Sequence, residues 1–163
     1  MKPVHRGILV AVLQCLLVLS LAGKYAWDRE HLPRVWVKTA PGDPYLPIRG
    51  RYVRLRLEVA VARVAGARDI GAFSPVELRV KDGQLAATPT SSSTGVNAMH
   101  WPGGAWVLNE PAAFFIPEHA ADPSRLAPGQ ELWVEVSVPG RGPPRPIRLG
   151  VKKDGVLTGL AVQ

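Results

Sequence analysis

Apolar and polar residues follow two different rhythms along the chain. The first is an unbroken apolar run between Arg6 and Lys24, GILVAVLQCLLVLSLAG, with no charge in 17 residues. As a helix it would span about 26 Å at roughly 1.5 Å per residue, against a bilayer hydrocarbon core of about 30 Å. Lys24 can snorkel, and Tyr25 and Trp27 would lie at the interface, which makes up the difference. The pattern predicts a membrane anchor. Ser20-Leu21-Ala22 has the small–x–small form of a cleavage site, so secretion after cleavage near Ala22 is the alternative.

The second rhythm has period two and predicts strands. Val53, Leu55, Leu57, Val59 and Val61 share one face, while Tyr52, Arg54, Arg56, Glu58 and Ala60 share the other, in one half-buried strand from Arg51 to Val64. Val76, Leu78 and Val80 alternate with Glu77, Arg79 and Lys81, then turn at Asp82-Gly83 into Gln84-Leu85-Ala86, a hairpin signal. Leu132, Val134, Val136 and Val138 alternate with Glu131, Trp133, Glu135 and Ser137. Ile147, Leu149 and Val151 lead to a second Asp-Gly turn, Asp154-Gly155, and a last strand through Leu157, Leu160 and Val162. Shorter signals are Val35-Trp36-Val37 after a polar stalk and Ala113 to Ile116, read as a short buried strand. Residues 88–104 read as a long loop, and Pro117-Glu118 could open a short helix reaching Leu126.

The expected fold is therefore mainly β: an N-terminal transmembrane helix followed by an antiparallel β-sandwich or partly open barrel, with at most one short helix. The boundaries are 1–23 for the anchor or signal segment, 24–38 for a stalk and first strand, and 39–163 for the β-rich domain. Composition agrees, since 163 residues with 47% hydrophobic content, 16 Gly and 16 Pro suit one strand-and-turn domain.

Charge and cysteine narrow the chemistry. The net charge of +7 is scattered rather than gathered into a basic, aromatic-studded patch, which argues against nucleic acid. Cys15 lies inside the apolar run and is the sole cysteine, so the chain forms neither an internal disulfide nor a thiolate metal site. His100, Glu118 and His119 do not have metal-ligand spacing, and neither metal nor cofactor is expected. Lys2 and Arg6 precede the span while Lys24, Arg29, Arg34 and Lys38 follow it, a mild bias toward the opposite topology. Large C-terminal domains translocate regardless of such charges, so residues 24–163 are expected outside the cytoplasm.

The segment from Pro41-Gly42-Asp43-Pro44 through Arg49-Gly50 to Leu57 resembles the signature of the GDYXXLXY family of bacterial membrane-anchored proteins. Gly50, Tyr52 and Leu55 agree with the named motif, whereas Arg51 replaces its acid and Leu57 its last tyrosine. Phe114-Phe115-Ile116-Pro117-Glu118 is similar to the family's second landmark, and the Asp154-Gly155 hairpin to its end. The resemblance implies a single-pass protein of the bacterial inner membrane with a periplasmic β-rich domain, working with a multi-span membrane protein. It carries no established chemistry.

Asp43-Pro44 would make a turn, Arg49 could pair with Asp43, and Gly50 would let the chain bend into the sheet. Trp101, Trp106 and Trp133 are candidates for a partner-binding patch. Arg54 and Arg56, with Tyr52, could instead hold a phosphate, a carboxylate, an anionic lipid headgroup or an envelope polymer; a solvated strand face is the plainer reading. A membrane-anchored hydrolase or peptidase would need a nucleophile and base, and Ser74 with Lys81 is a poor pair for it. Binding without catalysis is the expected function.

Overall fold

The computed structural model describes residues 3–40, 52–61, 73–91, 95–102, 104–117 and 122–161. The chain divides into two units, Met1–Leu32 and Pro33–Gln163.

The first unit is the helix α1, Pro3–His31. Its stretch Gly7–Asp28, with a mean hydropathy of 2.1, is long and apolar enough to cross a membrane, and its apolar side chains are exposed. The helix runs eight residues beyond the expected anchor, through the segment read as a stalk. Lys24 to His31 contains no glycine or proline to stop it, and Pro33 follows one residue after its end, driving Leu32 out of the helical region. Its last turn is tied locally: the Leu32 N–H donates to the Asp28 carbonyl (3.0 Å), and the His31 ring donates from Nδ1 to the Trp27 carbonyl (3.0 Å) while stacking on the Trp27 ring at 3.8 Å.

The second unit is built of strands, as the alternation predicts. They are β1 (Arg34–Ala40), β2 (Tyr52–Leu57), β3 (Ala60–Val61), β4 (Phe73–Lys81), β5 (Gln84–Pro89), β6 (Asn97–His100), β7 (Trp106–Leu108), β8 (Ala112–Phe115), β9 (Gln130–Ser137), β10 (Arg145–Lys153) and β11 (Val156–Gly159). One sheet has the order β11-β10-β9-β1-β2-β8 and the other β3-β5-β4-β6-β7. All neighbours are antiparallel except β3 and β5. The apolar face of each alternation is buried between them, with Leu55, Leu57, Val76, Leu108, Val134, Val136 and Leu149 at 2% exposure or less. Both Asp-Gly turns have positive φ at each central residue (Asp82 51°, Gly83 71°; Asp154 50°, Gly155 82°), the twist that suits a two-residue hairpin.

Four local differences from the sequence reading have physical reasons. The long strand expected from Arg51 to Val64 changes sheets: after β2, Glu58 bridges Val107 and the Val59 N–H donates to the Trp106 carbonyl (2.9 Å), after which β3 runs beside β5. Residues 58–61 thus lie between β7 and β5 and close the second sheet on itself. The alternation does not register this change, because the same face stays inward throughout. Part of the expected loop at 88–104 is strand, since β5 reaches Pro89 and β6 occupies Asn97–His100 on the strength of buried Val96 and Ala98. Among the described strands β8 ends a sheet rather than lying buried within one, and Phe115 is 77% exposed. Finally, residues 122–127 form turns in place of the proposed helix: the Asp122 carboxylate accepts from the Ser124 N–H (2.9 Å) and hydroxyl (2.7 Å).

Candidate functional site

The arginine strip lies on the outward face of β2, where register rather than sequence spacing decides its neighbours. Tyr52 pairs with Phe115 and Arg54 with Ala113 across β2 and β8. The Tyr52 and Phe115 rings meet at 5.9 Å, tilted by 54°. The Arg54 guanidinium stands 5.9 Å from the Tyr52 ring centre and donates weakly to its hydroxyl at 3.4 Å. Ala113 is too small to cover it, and Arg54 stays exposed.

Arg56, two residues on, is half-buried and already engaged. Its guanidinium lies 4.4 Å over the Trp101 ring, and Nη1 donates to the Asn109 carbonyl at 3.4 Å. Trp101 is held at the β6–β7 connection, its N–H donating to the Ala105 carbonyl (2.8 Å). Arg56 therefore clamps β2 to that hairpin. The two arginines have the same sequence environment and different jobs.

The three tryptophans do not form one patch. Trp106 sits on the same hairpin as Trp101, opposite His100 in the register and edge-to-face with its ring at 5.4 Å. Trp133 belongs to the other sheet, on β9, between Lys38 of β1 and Gly150 of β10. There it is part of a lattice of alternating charges and rings. Its indole N–H donates to Glu131 Oε2 (3.1 Å), and Lys152 Nζ lies 4.6 Å from its ring centre. Lys38 Nζ donates to Glu131 Oε1 at 2.7 Å. One row further along, Arg148 donates to the buried Glu135 (2.6 Å) and covers the Trp36 ring at 5.2 Å. The bond from Lys38, and then that from Trp133, holds the Glu131 carboxyl below the usual glutamate range, and Glu131 in turn raises Lys38. Sequence reasoning missed Trp36, Phe115 and this lattice. Its visible signal was the period-two spacing of Trp36 with Lys38, of Glu131, Trp133 and Glu135, and of Arg148 with Lys152.

Ser74 and Lys81 lie seven residues apart on the single strand β4, about 23 Å at roughly 3.3 Å per residue, and point to opposite faces. They cannot act together. Among the described residues no group of three or more His, Cys, Asp or Glu side chains could hold a metal ion. Of the motif residues, Leu55 is a core side chain (1% exposed) and Pro117 is half-buried just past β8. Asp43, Pro44, Arg49, Gly50 and Glu118 lie outside the described residues, as does His119. No family model matches the chain, and no match was found among curated proteins or solved structures.

Proposed function

We propose that the chain is a single-pass, non-catalytic binding protein of the bacterial inner membrane, whose extracytoplasmic β domain docks a multi-span membrane protein. The observation that carries this reading is Phe115, a large ring 77% exposed at the end of a sheet, beside Tyr52 and Arg54. Tyrosine and arginine are the residues that most often anchor interfaces, and an exposed aromatic next to them gains most from being covered. The tryptophans are engaged within the domain, Trp101 against Arg56, Trp133 against Lys152 and Trp106 against His100, so the reading rests on Phe115 and not on them. The resemblance at residues 41–57 and 114–118 points the same way. An anionic lipid or envelope polymer, with Arg56 occupied, would be left with Arg54 alone on this strand face, a thin basis for affinity.

The test is photocrosslinking of the full-length chain in membranes, with the photoreactive residue at position 115 or, as control, at the exposed position 124. A discrete adduct at 115 with a multi-span membrane protein, absent at 124 and reduced about tenfold or more by Arg54→Glu, is the expected result. Adducts with lipid alone, or identical adducts at both positions, would overturn it.

A further inference from the structure

We propose that β11 is a self-pairing edge through which two copies of the chain join their six-stranded sheets into one. Among the described strands β11 ends that sheet, with β10 on its inner side. The hydrogen-bond pattern fixes which main-chain groups are left over. Across the Asp154-Gly155 turn, Lys153 pairs with Val156 and Val151 with Thr158, and the Leu160 N–H donates to the Leu149 carbonyl at 2.9 Å. These are the bonded positions of a two-residue hairpin. The N–H and C=O of Leu157 and Gly159 therefore point away from β10, a short row of donors and acceptors with which another extended strand can pair in place of water.

The side chains specify a second copy of this chain as that strand. Val156 to Leu160 carry no charge and no proline, two of the devices that keep an edge solitary, although β11 is short at four residues. The sheet's other end, β8, has Pro111 before it and Pro117 after it. The chain's positive charge repels copies elsewhere, whereas an uncharged strand can face itself without opposing like charges. A two-fold axis at Thr158 sets Leu157 against Gly159 of the partner subunit, large against small, with four main-chain hydrogen bonds. On the opposite face it brings Leu160 of the partner subunit over Val156, which is 68% exposed in the single chain. Thr158 meets its own mate at a non-bonded position, where antiparallel Cα atoms approach to about 4.5 Å, within disulfide reach.

The experiment is cysteine crosslinking of the full-length chain in membranes, with Cys15→Ser as background and mild oxidation by copper phenanthroline. Thr158→Cys should give a linked dimer at least tenfold more abundantly than Ser124→Cys. Leu157→Pro removes an outward donor and leaves the bonds to β10 intact, so it should abolish the dimer while the domain's thermal unfolding stays cooperative. If that variant unfolds the domain, Val156→Lys at the exposed position serves the same purpose by setting an ammonium group against Leu160 of the partner subunit on each side of the axis. Equal crosslinking at 158 and 124 would overturn the proposal. So would a dimer that survives the edge substitution in a folded domain.

Discussion

Arg54 and Arg56 sit two positions apart on the same face of the same strand, and only their neighbours distinguish them. Arg56 stacks on Trp101 and reaches the Asn109 carbonyl, so removing it uncaps a ring and frees a hairpin. Among the described residues Arg54 meets Tyr52, in an exposed setting. Arg56→Ala should therefore cost about 1–2 kcal/mol of folding stability, the range for a partly desolvated cation–π contact with an added hydrogen bond. Arg54→Ala should stay within about 0.5 kcal/mol. Urea denaturation followed by tryptophan fluorescence measures both, and equal costs would remove the distinction drawn between them. Nothing in the string of residues separates the two arginines, because the ring that occupies one of them lies over forty positions away in sequence.

At the level of elements, what could be read in advance was what is local. The two Asp-Gly hairpins, the alternating faces of β4, β9 and β10, and the apolar helix each follow from a few adjacent residues. The change of sheet at Glu58, the short strand β6 and the placement of β8 at a sheet's end depend on partners far along the chain, and no local periodicity encodes them. Gly150 belongs with these. It looks like an interruption in the alternation of β10, yet it is where Trp36 lies down across the sheet: an added Cβ would stand 2.9 Å from Trp36 Cζ3 and 3.0 Å from the Thr158 carbonyl oxygen. Gly150→Ala should destabilise the domain by about 1–3 kcal/mol through overpacking. Chemical denaturation would register it, and Gly140→Ala, with open space around it, makes the control.

For the whole molecule the question is whether α1 stays attached. The helix is unbroken across Ala22 and continues to His31, so the small residues near Ala22 lie within a regular helix rather than in an extended segment. On the single-pass reading proposed above, the mature chain keeps its N-terminal segment, remains with membranes through an alkaline carbonate wash, and gives the full-length mass by intact mass spectrometry. A mass corresponding to a start at Gly23 would instead make it a secreted protein.

The short stretch at Glu58 to Val61 has a further consequence. Because β2 and β3 are consecutive parts of one strand-like run, the first sheet holds one end of it and the second sheet is closed by the other. The two sheets share this run and one buried core, so loss of structure should spread through the domain as one event rather than sheet by sheet. Its formation is bound by the same tie. The bridge joins residues about fifty positions apart, and this loop must close before the second sheet has a complete perimeter, which makes slow, concerted folding the cost of the architecture.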